Sequence, residues 1–78
     1  MNERKPNNLS LGKFIQKERL ARQMTTTEIA QAISVSERVY SHYEEGSVSI
    51  YIEHLVALSS ILKIDLQLFF DAYLNPEK

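Results

Sequence analysis

Seventy-eight residues, 44% of them hydrophobic, are enough for one compact core and too few for two, and the absence of cysteine excludes a disulfide framework and a thiolate metal site. No stretch approaches the ~20 apolar residues of a membrane helix, and nothing apolar follows the charged start MNERKPNN, so neither export nor membrane insertion is expected and a cytoplasmic setting fits. The net charge of −1 is unevenly spread: residues 1–43 carry seven Lys or Arg against four acids, and residues 44–78 carry two against six.

Residues 1–9 lack periodicity, contain Pro6 and the pair Asn7 and Asn8, and read as a mobile arm carrying Arg4 and Lys5. Ser10 is a candidate N-cap for a first helix running to about Gln23, with Leu11, Phe14 and Ile15 on one face at i, i+3 and i+4. Thr25 followed by Glu28 has the form of a capping box, and Ile29, Ala30 and Ile33 repeat at helical spacing, giving a second helix over about 26–33. Only Ser34 and Val35 intervene before Ser36, which can cap a third helix over about 37–44 that turns Val39, Tyr40 and Tyr43 toward the core and stops at Gly46. Two helices joined this tightly cross steeply, which is a helix-turn-helix. Ser47 to Ile50 is a loop, Tyr51 to Leu62 a fourth helix, and Asp65 caps a fifth with Leu66, Phe69, Phe70 and Tyr73 as its core stripe. The expected fold is all-α, a five-helix bundle spanning residues 10–74, followed by a short tail, 75–78.

The segment TTTEIAQAISVSERVYSHYEEG, with Leu11, Gly12, Ile15 and Arg19 before it and Ile52, Leu55, Leu58, Leu62, Ile64, Leu66 and Phe69 after it, resembles the helix-turn-helix DNA-binding domains of phage Cro and repressor type, the xenobiotic-response-element family. The resemblance covers almost the whole chain. It implies a phage-repressor-type bundle, a transcriptional regulator of double-stranded DNA, and a buried ion pair between Arg19 of the first helix and Glu44 of the third. Three departures stand out. Ser34 occupies a position where the family usually has a glycine in left-handed conformation, Tyr40 replaces a smaller aliphatic that anchors the third helix, and Glu45 follows Glu44 as a second acid near the groove.

In such domains the third helix lies in the major groove and its first residues reach base edges. Arg38 is the leading candidate, since its planar fork can donate two hydrogen bonds to guanine. Glu37 has two readings: it accepts from cytosine N4, or it sits at the helix start as a favourable charge on the dipole. The resemblance adds His42 to the base-facing residues and Ser41 as a neighbour of the DNA. Thr26, Thr27, Ser36 and Ser47 are candidates near the backbone, with plain capping the alternative for the first of these. Lys13, Lys17 and Arg22 read as solvated helix charges. Leu68 and Ala72, left over once the fifth helix's core stripe is assigned and polar in the resembling proteins at the first position, are the expected homodimer contact.

An enzyme finds no support, because His42 and His54 are isolated, no glycine-rich phosphate loop exists and no nucleophile has an evident base; no cofactor or metal is expected. His54 reads as a helix-surface residue. The competing function is a protein-binding module of the same fold, recruiting an antirepressor or antitoxin-like partner through an exposed apolar surface.

Overall fold

The computed structural model describes residues 6–75, so Arg4, Lys5 and the end of the tail lie outside the described residues. Five helices follow in order: α1 (Pro6–Ala21), α2 (Thr26–Ala32), α3 (Glu37–Glu45), α4 (Ile52–Leu62) and α5 (Leu66–Leu74).

Their ends are set by local chemistry. The Thr25 hydroxyl accepts from the Glu28 amide at 3.0 Å while the Glu28 carboxylate accepts from the Thr25 amide at 2.8 Å, a complete capping box that starts α2. Ser36 accepts from the Val39 amide at 3.1 Å and Asp65 from the Gln67 amide at 3.1 Å, starting α3 and α5. Ser34 adopts φ 63°, so a residue with a side chain stands in the left-handed turn between α2 and α3, at a cost of about 1–2 kcal/mol.

α1 begins at Pro6, not after Ser10, and ends at Ala21 with Gln23 in left-handed conformation. Pro6 has the φ a first helical residue needs. The extra turn is then held from outside the helix: the Asn7 amide donates to the Tyr73 carbonyl and the buried Asn8 amide lies 3.5 Å from the Ser49 hydroxyl. Residues 6–9 are therefore helical where an arm was expected.

The core gathers Leu11, Ile15, Ile29, Ala30, Ile33, Tyr40, Tyr43, Leu55, Leu58, Leu62, Ile64 and Phe69. Two residues expected in the core are exposed instead. Val39 is 38% exposed, because it lies about 100° round the helix from Tyr40 and a nine-residue helix buries one face only. Tyr73 is 39% exposed at the last turn of α5, where its backbone carbonyl meets Asn7 of α1 while its side chain stays open to solvent, and Leu66 and Phe70 pack on the core's edge. His54 is likewise no surface residue. Its side chain is 16% exposed, its Nδ1 lies 2.7 Å from the Tyr43 hydroxyl, and its ring tilts against those of Tyr43 and Tyr51.

α1 bridges the two halves of the bundle. On one side it meets α3 at Gly12, where an added Cβ would stand 2.4 Å from the Glu44 carbonyl oxygen, so the backbones touch there. Gly46, with φ 76°, ends α3 against the backbone of Leu9 in the same way. On the other side Phe14 packs edge-on against Phe69 of α5, ring centroids 5.4 Å apart.

Candidate nucleic-acid interface

The inner face of α3 is fixed by a polar cluster inside an apolar surround. Arg19 Nε donates to Glu44 Oε2 at 2.6 Å and Arg19 Nη2 to Glu44 Oε1 at 3.1 Å, a two-pronged pair whose side chains are 9% and 8% exposed. A third guanidinium bond, Nη1 to the Met24 carbonyl at 2.8 Å, ties the same arginine to the turn before α2. The Tyr40 hydroxyl, on a fully buried side chain, donates to Glu44 Oε2. The Arg19–Glu44 pair thus joins α1, the α1–α2 turn and α3, and no buried side-chain polar atom among the described residues lacks a partner. The hydrogen bond to Glu44 holds the Arg19 pKa above its ordinary value against the opposing effect of burial. Burial, followed by the hydrogen bond to the Glu44 anion, holds the Tyr40 hydroxyl far above the ordinary phenol range. Burial also raises the Tyr43 hydroxyl.

With Tyr40, Tyr43 and Glu44 turned inward, helical geometry leaves Arg38, Ser41, His42 and Glu45 on the outer side of α3. Arg38 is exposed. His42 is half-exposed, with Nδ1 3.1 Å from the Ser47 hydroxyl and 3.5 Å from Glu45 Oε1. Ser47 therefore sits beside His42 and donates weakly, at 3.4 Å, to its carbonyl. Ser41 is half-buried, and the Ser36 hydroxyl is occupied as the α3 cap.

Glu37 is exposed at the start of α3 but not free: its Oε2 accepts from the Thr26 hydroxyl at 2.8 Å and from the Thr27 hydroxyl at 3.0 Å. The three residues form one hydrogen-bonded unit bridging the starts of α2 and α3. Arg22, just past the end of α1, bonds Glu18 of that helix at 2.8 Å, whereas Lys13 and Lys17 are exposed along the outer side of α1. Away from α3, Leu68 is 48% exposed on α5, while Ala72 is half-buried and lines a groove between α5 and α1.

Two features escaped the sequence reading. Tyr40, expected in the core and larger than the family's usual aliphatic, is also the third member of the Arg19–Glu44 cluster, and its i, i+4 spacing from Glu44 was the available signal. Val39 belongs to the exposed side of α3 and lines a cleft with His42 and Tyr51, for which adjacency in sequence offered none.

Among the described residues no group of three His, Cys, Asp or Glu side chains is placed to hold a metal ion, and no helix is long and apolar enough to cross a membrane. No curated relative matches the chain in sequence. Among solved structures, the chain is similar to the clp gene regulator ClgR from Corynebacterium glutamicum, with a TM-score of 0.80 and 22% identity over 92% of this chain and 76% of that one. That likeness carries the five-helix fold. The helix-turn-helix family model matches residues 15–69, from the middle of α1 to the core phenylalanine of α5. The chain therefore belongs to the helix-turn-helix family of DNA-binding transcription regulators.

Proposed function

We propose that the protein is a sequence-specific regulator that lays α3 in the major groove of double-stranded DNA and acts as a homodimer on a palindromic operator. The observation that carries this reading is the asymmetry of α3: Arg19, Gly12 and Glu44 fix it from behind, while Arg38 and His42 are left facing outward. A helix held this rigidly can present a guanidinium to guanine O6 and N7 in one register. Ser41, Ser47, Thr26, Thr27 and Ser36 border that face as backbone-positioning groups, and Glu37 is an acceptor for cytosine N4.

Selection of binding sites from random duplexes should return a sequence with two half-sites about 34–36 Å apart. Arg38→Ala should weaken the selected site by about 1–3 kcal/mol and leave random duplex nearly unaffected. An equal loss on every sequence would make Arg38 a phosphate contact. No binding at low salt, where phosphate contacts are strongest, would favour the protein-binding alternative.

The two-fold contact is assigned to Leu68, an exposed leucine of α5, with Ala72 at its edge. Leu68→Glu should give a folded monomer by light scattering with much reduced affinity for the palindrome. A variant that remains dimeric would exclude this face.

A further inference from the structure

Beside the outer face of α3 lies a small cleft of about 250 Å³ between Val39, His42 and Tyr43 of α3 and Val48, Ser49 and Tyr51 of the following loop. Three of its walls are apolar side chains open to solvent: Val39 is 38%, Val48 41% and Tyr51 69% exposed. Such residues at a polar, outward face need an apolar neighbour to be useful there. Val39 is one residue from Arg38 and one turn from His42, so whatever fills the cleft also meets the side of α3 assigned to DNA.

The major groove narrows the choice of occupant. Base edges there present hydrogen-bond donors and acceptors, and the apolar group among them is the 5-methyl of thymine. A protein segment seated in the cleft would cover His42 and block the groove-facing side. We propose that Val39, backed by Val48 and Tyr51, is a specificity-determining residue that receives a thymine 5-methyl group next to the base pair read by Arg38. This rests on the DNA-binding reading above and adds to it a second kind of readout, by apolar contact. His42, held beside Ser47, forms the polar rim of the same cleft.

Removing the methyl alone, by replacing single thymines with deoxyuridine, tests the assignment on the full chain and the best duplex from site selection. One thymine per half-site should show a loss of about fourfold when its methyl is deleted, the factor that burial of one such group supplies. Val39→Ala should weaken the parent duplex and make that thymine indifferent to methyl deletion. Val48→Ala should reduce the methyl effect in part. Because Val39 is exposed, the variant is expected to keep its helical circular dichroism and melting temperature. Sequence-specific binding with no thymine sensitive to deoxyuridine would overturn the inference and leave the DNA reading standing. A methyl effect that persists undiminished in Val39→Ala would also overturn it, by assigning the contact to another residue. Absence of any sequence-specific binding would overturn both readings together.

Discussion

α1 makes two contacts of opposite character. Toward α3 it offers Gly12 and Arg19, giving a backbone-to-backbone approach and a buried charged pair; toward α5 it offers Phe14, which meets Phe69 edge-on beside an open groove of about 410 Å³ floored by Leu9 and Ala72 and rimmed by Lys13 and Lys17. The first contact has directional bonds and no free space, so it admits one helix position. The second is apolar and partly open, so it can adjust. Precision is concentrated where α3 is held.

The strongest way to break that contrast is to unpair the charged contact. Arg19→Met or Glu44→Leu alone should each cost about 3–5 kcal/mol, and the double variant should recover part of the loss, measured by denaturant unfolding. Additive losses would mean that the pair does not act as a unit. Next, Gly12→Ala should cost about 3 kcal/mol, because the added methyl meets backbone at 2.4 Å and no side chain can yield. Phe14→Leu on the α5 side should cost about 1 kcal/mol, and equal costs on the two sides would erase the distinction.

Tyr40→Phe sharpens the comparison at about 1–2 kcal/mol, since it removes one bond to Glu44 and leaves the guanidinium in place. It also has a pH signature. The Tyr40 and Tyr43 hydroxyls are held above the ordinary value of 10.0, so the native state keeps protons that the unfolded chain releases above that pH. Their contribution is therefore fully present below pH 10 and declines as pH rises further. Alkaline titration of stability should fall less steeply in Tyr40→Phe than in the parent. One effect has the opposite sign: Ser34→Gly, outside both contacts, should raise stability by about 1 kcal/mol through relief of its φ of 63°.

The order and type of all five helices were legible because the signals that set them are local. The Thr25–Glu28 box, the Ser36 cap, the Asp65 cap and the Gly46 stop each operate within a few residues. The start of α1 was not legible, because Pro6, Asn7 and Asn8 look like breakers and are held by Tyr73, Ser49 and Gly46, far away in the chain. Val39 and Tyr73 were assigned inward from spacing alone, which gives a helix's apolar side but not how many residues of it the neighbours cover. The pairing of Arg19 with Glu44 came from family resemblance. The share that Tyr40 takes in it needed the side-chain geometry, as did the occupation of Glu37 by two threonines.

That last arrangement changes how contacts at the front of the domain are to be counted. The Thr26 and Thr27 hydroxyls and the Glu37 carboxylate already satisfy one another in the free protein. A hydroxyl that turns to a phosphate leaves the carboxylate with one donor fewer, and a carboxylate that turns to a cytosine amine leaves two hydroxyls to find new acceptors. Each such contact is an exchange, whose net yield is the difference between two hydrogen bonds. Affinities of variants at these three positions will therefore not sum, and the shortfall measures the internal bonds that DNA displaces.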